Sequence, residues 1–217
     1  MIASEMAQAI VAMEPNLRKW TRSALHAFGL FTAANRAVTR YGDSASEVVE
    51  LAAMYRGDTA LMVVLRVHSL LDRQGEVSFQ VVHRYLKEPG VPDALAAIYC
   101  TPTDGGLRAP ASECHLAIAA FREAYAQIPF EVFGSLQDFR NREVAHIGLK
   151  PSSRSITYNQ LEQFVTIVAE LSGHVSMMSR GLNDDLLEFG SGIADASECT
   201  WLNAIQRELQ EDMDQQL

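Results

Sequence analysis

The sequence predicts an all-α protein, a bundle of long helices, and three observations carry that expectation. Large apolar residues recur at three- and four-residue intervals over long stretches. Prolines, serines and threonines stand where those stretches begin, and glycines or prolines where they end. No segment shows the strict alternation of a half-buried strand, and no fixed-period repeat or low-complexity tract interrupts the pattern.

The first element is "NLRKWTRSALHAFGLFTAANRAVTRY", which follows Pro15 and places Leu17, Trp20, Ala24, Phe28 and Phe31 on one stripe. A second, "SASEVVELAAMYRGDTALMVVLRVHSLLDR", opens at Ser44 or Ser46 as N-cap and is weakened at Gly57. "VSFQVVHRYLKE" is a short third helix capped by Ser78 and stopped at Pro89, and "PDALAAIYC" adds a turn or two. "TPTDGGLRAP" is turn chemistry and is the clearest loop.

Pro110 then starts "PASECHLAIAAFREAYAQI", and Pro129 starts "PFEVFGSLQDFRNREVAHIG", which Gly148 and Pro151 terminate. Two helices in such close succession suggest an antiparallel pair. "TYNQLEQFVTIVAELSGHVSMMSRGL" is a long helix capped by Thr157, and a last helix occupies about 194–215.

With 217 residues, 48% apolar and 21% charged, the chain is long enough for one sizeable core, so a single domain over 1–217 is expected. No apolar run approaches the roughly 18 residues of a membrane span. The N-terminal "MIASEMAQAI" lacks the basic start and apolar block of a secretory leader, so the expectation is a cytoplasmic protein without a membrane partner. Cys100, Cys114 and Cys199 form no CxxC, which points to reduced, mostly buried thiols rather than a disulfide framework or zinc site. No metal or other cofactor is expected.

A net charge of −9 argues against nonspecific coating of nucleic acid, which rests on many Lys and Arg contacts to phosphates. The charge is nevertheless segregated. Acids gather in "LNDDLLEF" and "ELQEDMD", where they read as solvated charge, whereas Arg140, Arg142, Lys150 and Arg154 cluster in one region whose local field is positive. P-loop, GxGxxG, HExxH and GxSxG patterns are absent, and with them the usual signatures of Walker-type hydrolysis, Rossmann cofactors, zinc proteolysis and α/β-hydrolase chemistry. Cys114 and His115 are helix neighbours pointing about 100° apart and make no nucleophile pair. "SGHVSMMSR" reads as packing rather than a metal site.

"DFRNREVAHIG" is the most informative stretch. At about 100° per residue, Phe133, Leu136, Val144 and Ile147 all fall within roughly 40° of Arg140, so an arginine occupies the centre of an apolar stripe. A guanidinium stays charged and is expensive to desolvate, so it requires a carboxylate, carbonyls, or a cleft holding water and an anion. His146 lies about 120° round and about 9 Å along the same helix, within reach of one phosphate-sized ligand shared with Arg140. The structural alternative is an Arg140 ion pair with Asp72 or Glu143. For His68, in "LRVHSLLDR", a core role weighs against a place facing the site, and Arg66 with Asp72 reads as an ion pair.

Arg140, the polar Asn141 after it, and His146 after five intervening residues resemble the motif of the HEPN superfamily, an arginine followed four to six residues later by a histidine. Within that superfamily of small all-helical proteins the chain looks like the AbiU-type abortive-infection branch. The resemblance covers roughly residues 45–180, with the helix at about 194–215 appended. It implies a HEPN-type bundle with two long antiparallel helix pairs and a homodimer that brings two motifs into one cleft. It also implies a metal-independent endoribonuclease acting as a toxin or phage-defence effector on RNA, with an antitoxin protein as a further partner.

In that reading His146 is the acid–base group and Arg140 holds the scissile phosphate. Asn141 orients a phosphate oxygen or the 2′-OH, and Arg142 and Lys150 are substrate-binding candidates. Two positions depart from the family. Ser69 stands where the branch often has an arginine, and Gly148 where toxins silenced by a nucleotidyltransferase carry a tyrosine. The alternative function is a non-catalytic HEPN-like module that binds a nucleotide or a protein partner through Arg140.

Overall fold

A computed structural model describes residues 2–101, 110–139 and 156–215. They form eight helices: α1 Ala3–Tyr41, α2 Glu47–Leu70, α3 Phe79–Leu86, α4 Val91–Tyr99, α5 Ala111–Ala126, α6 Phe130–Phe139, α7 Tyr158–Arg180 and α8 Leu186–Gln215. No strand occurs among the described residues, so the fold is all-α. None of the helices is long and apolar enough to cross a membrane. The predicted loop at 102–109 lies outside the described residues.

Helix α1 is the axis, because α2, α3, α4, α7 and α8 all pack on it. Its second half is buried through small side chains, Ala24, Ala27, Gly29, Thr32, Ala33, Ala34 and Ala37. Large side chains on so many faces would hold the neighbours apart. Arg66 lies over the Trp20 ring and Arg56 reaches Asn35, so α2 runs against α1. Glu14 meets Ser176 and Arg180 while Thr32 meets Tyr158, so α7 also runs against it. Gly29 meets Gly190, and Arg36 meets Asp195 and Glu198, so α8 runs along α1 in the same direction.

Two boundaries and the burial of one side chain differ from the sequence expectation. Helix α1 begins at Ala3 and passes through Pro15, although that residue removes one hydrogen bond to the preceding turn. The stripe of Ala7, Ile10, Met13 and Leu17 continues across it into the main core, and the proline itself is exposed. Trp20, expected within the apolar stripe, is 43% exposed and serves as a platform for Arg66.

The last helix begins at Leu186 rather than near 194. Asp185 accepts the Glu188 N–H at 2.9 Å as its cap, and Asp184 pairs with Arg18, so the "NDD" acids are structural rather than solvated charge. Gly190 and Gly192 do not break α8. At Gly190 an added Cβ would lie 3.1 Å from Leu25, and at Gly29 it would lie 2.9 Å from the Gly190 carbonyl oxygen, so the first two turns of α8 approach α1 through glycine.

The caps inferred at Ser46, Ser78 and Thr157 are present, each accepting the N–H three residues on. Gln160 returns a bond to the Thr157 N–H at 2.9 Å, which completes a capping box. Glu208 of α8 adds a second acceptor at the start of α2, taking the Glu47 N–H at 2.8 Å and the Ser46 hydroxyl; that hydroxyl bond lowers its pKa. The thiols are less uniformly buried than expected: Cys114 is buried, Cys100 half-buried and Cys199 exposed.

These contacts fix opposite signs for two glycine substitutions. Gly57 has open space around its Cβ position, so Gly57→Ala is expected to stabilise the protein by about 0.5–1 kcal/mol. Gly29→Ala forces α1 and α8 apart and is expected to destabilise by about 1–3 kcal/mol. Denaturant titrations of both variants check this, and equal effects of the two would contradict the α1–α8 approach.

Candidate functional site

Arg140, Asn141, His146, Arg142 and Lys150 lie outside the described residues, as do Glu143 and Arg154. Helix α6 is described as far as Phe139, one residue before Arg140 in sequence. Its apolar stripe faces inward: Leu136 is fully buried, and Phe133 stands edge-on to Phe164 of α7 at 6.2 Å between centroids.

The other face of Phe133 meets His68. The two rings stack at 5.5 Å with planes 14° apart, and His68 is 6% exposed near the end of α2. Beside this stack is a pocket of about 370 Å³ lined by His68, Asp72, Gln74, Phe130, Phe133 and Gly134, with Arg73 at its edge. Gly134 leaves that wall of α6 without a side chain. His68 is therefore packed in the core and also lines this pocket, while the motif from Arg140 to His146 lies outside the described residues.

The expected ion pair between Arg66 and Asp72 does not form. Arg66 lies 4.7 Å from the centroid of Trp20, while Asp72 turns back to accept the Gln74 N–H at 2.9 Å. The six-residue separation spans the last turn of α2, and Leu71 already leaves helical geometry at its C-cap, so the two side chains diverge.

A second pocket, of about 450 Å³, shares Arg73 and Phe130 with the first. His83 of α3 stacks on Tyr125 of α5 at 3.7 Å with planes 17° apart, and Phe130 tilts against the same tyrosine at 5.8 Å. Burial, reinforced by the positive charges of Lys87 and Arg122, pulls the His83 imidazole down to about 4. Sequence reasoning missed this cluster because its members come from α3, α5 and the turn before α3. The available signal was "HRYLK", where Arg84 and Lys87 stand three residues apart at the end of one short helix.

Other groups weighed in the sequence are accounted for by packing. Cys114 is buried, its Sγ lies 3.4 Å from the Met178 carbonyl oxygen, and burial raises its pKa to about 11, far from a reactive thiolate. His115 instead faces Asp93 at 3.8 Å. Met178 is fully buried and His174 is lowered in pKa by burial. Among the described residues no three His, Cys, Asp or Glu side chains converge as a metal-binding group.

No family model, curated protein or solved structure matches this chain. What the protein does is therefore read from its own residues.

The His83 environment gives a pH dependence whose sign is fixed. The folded state holds the ring neutral down to about 4, whereas the unfolded chain takes up the proton near the ordinary 6.5. That stability contribution is fully present above the ordinary value and is lost as pH falls from there toward about 4. His174, also lowered by burial, acts in the same sense. His83→Phe keeps a ring against Tyr125 without a titrating proton and is expected to make the fall of melting temperature across this window shallower. An unchanged profile in thermal melts would contradict the assignment.

Proposed function

We propose that the protein is a metal-independent endoribonuclease of the HEPN type, a toxin or phage-defence effector. Its bundle would be built on two long antiparallel helix pairs. The observation that carries this reading is the arginine at the centre of the apolar stripe, Arg140, with Asn141 beside it and His146 six positions on. The inward-facing Phe133 and Leu136 support it, since they belong to the same stripe, and Phe133 lines a pocket with His68 and Asp72.

Cleavage by the substrate's own 2′-OH requires a group that takes the hydroxyl proton and one that stabilises the charge growing on the phosphate. His146 takes the proton, a role that imidazole can serve as acid or base. Arg140 holds the non-bridging oxygens through its planar fork of donors, and Asn141 orients one of them or the hydroxyl. Arg142 and Lys150 add positive charge along the strand. The O2′–P bond forms as the P–O5′ bond breaks, and the leaving oxygen takes a proton, giving a 2′,3′-cyclic phosphate and a 5′-hydroxyl.

Two copies would join to place their motifs in one cleft. Leu51, Met54 and Met62, exposed along α2, support such association. An antitoxin protein would restrain the activity in the cell, but Gly148 lacks the tyrosine hydroxyl of the nucleotidyltransferase-silenced type. The reading places the protein in the cytoplasm.

Arg140→Ala and His146→Ala are each expected to abolish RNA cleavage while leaving the melting temperature nearly unchanged. If Arg140 is instead a buried structural cation, Arg140→Ala strands its partner and destabilises by roughly 3–5 kcal/mol. Cleavage is expected to persist in EDTA and to leave 2′,3′-cyclic ends. Loss of activity on chelation, equal cutting of DNA, or retained cleavage in both variants would overturn the proposal. A monomer by light scattering at micromolar concentration would remove the shared cleft, and specific nucleotide binding without cleavage would favour the non-catalytic module.

A further inference from the structure

Around α3 the protein gathers positive charge that its acidic remainder does not neutralise. Arg84 and Lys87 are exposed on α3, and Arg73 is exposed on the turn before it; all three line the second pocket. Arg73 is steadied by Gln80, its Nε donating to Oε1 at 3.2 Å. Arg122 of α5 donates to the Leu86 carbonyl oxygen at 2.5 Å, bringing a fourth cation to the C-terminal end of α3.

None of these four cations makes an ion pair with a carboxylate among the described residues. Three arginines elsewhere are ion-paired: Arg18 with Asp184, Arg36 with Asp195 and Glu198, and Arg180 with Glu14. In a chain of net charge −9, three cations lining one cleft and a fourth at the end of α3, none ion-paired among the described residues, form a local field that attracts an anion.

The cleft also has an aromatic wall. Tyr125 is held by the His83 stack, and Phe130, packed on Tyr125, remains 37% exposed. Cations that follow phosphates beside an exposed aromatic face are what a single strand with unstacked bases requires. A lipid surface would favour projecting apolar side chains over a recessed cleft. Arg73 and Phe130 are shared with the pocket at His68 and Asp72, so the positive cleft is continuous with the approach to α6.

We propose that the cleft lined by Arg73, Arg84 and Lys87, with Arg122 adding its charge from the end of α3, binds the sugar–phosphate backbone of single-stranded RNA, with Phe130 stacking on a base, and directs the strand toward the pocket beside α6. The choice of RNA rests on the ribonuclease reading of Arg140 and His146.

The test uses the full chain carrying His146→Ala to prevent cleavage, with and without the pair Arg84→Glu and Lys87→Glu. Arg207→Glu, on the exposed face of α8, is the control. Binding of a fluorescent single-stranded RNA of about 12 nucleotides is followed by anisotropy at several salt concentrations. The double reversal is expected to weaken binding at least tenfold and, by removing two phosphate contacts, to flatten the log–log salt slope by about 1.4. The control should bind like the parent, and melting temperatures should agree within the series.

No measurable RNA binding by the parent, unchanged affinity in the double variant, an equal loss in the control, or binding to phosphatidylserine vesicles in place of RNA would each overturn the cleft. Loss of binding in the double variant with no cleavage by wild type would sink the ribonuclease reading alone. Undiminished binding and cleavage with the reversal placed in the wild-type chain would sink the cleft alone.

Discussion

Helix α1 has neighbours on nearly every side, and that crowding constrains the rest of the molecule. A helix so enclosed cannot present a single apolar stripe of large residues; beyond Leu25 it is lined with Ala, Gly and Thr, and its partners come close to its backbone. The tightest approach is at Gly29, against Gly190 and Ile193. Polar links then set the register of the outer helices. Glu14, 1% exposed, accepts the Ser176 hydroxyl at 2.9 Å and lies 2.8 Å from Arg180 Nε, although that arginine is not aligned on it as a hydrogen-bond donor. Arg36 bridges to Asp195 and Glu198, and Glu208 binds the N-terminus of α2. A buried carboxylate with two partners contributes register more than stability, because desolvation offsets much of its attraction.

Two adjoining pockets take none of their lining from α1 or α8. Helices α7 and α8 are committed to α1 along much of their length, whereas the end of α2, all of α3 and the start of α6 surround two adjoining pockets. The acidic side chains of α8 stabilise the scaffold, and the cations around α3 make no ion pair among the described residues. Net charge alone therefore misdescribes the surface that a polyanion would meet.

The helices were legible wherever a local signal ended them. Ser46, Ser78 and Thr157 cap as their side chains dictate, and Pro110 and Pro129 stand at the starts of α5 and α6. Reading failed where a residue that usually breaks helices was used for packing: Pro15 keeps its ring in solvent within a stripe that continues past it, and Gly190 serves as a contact. Trp20 and Arg66 were misread because a cation over an indole substitutes for both core burial and an ion pair, and sequence spacing does not encode that choice. At the site, the stripe through Phe133 and Leu136 was legible, and Arg140, Asn141, Arg142, His146 and Lys150 stand on sequence periodicity and resemblance. The basic cleft was not legible because three separate elements assemble it, and no linear pattern joins Arg73, Lys87 and Arg122.

The functional account makes the α2, α3 and α6 end the face that meets RNA, rather than the smaller cleft of about 190 Å³ where α1, α7 and α8 meet around Tyr158 and Arg36. The most direct test is to titrate isotopically labelled protein with a 2′-O-methyl RNA oligonucleotide, which lacks the attacking hydroxyl, and to follow each backbone amide by NMR. The account predicts saturable shifts at His68, Arg73, His83, Lys87 and Phe130 and through the Arg140–His146 segment, with Thr32, Tyr158 and Asp195 unmoved. Shifts confined to the latter group, or no shifts at all, would contradict it.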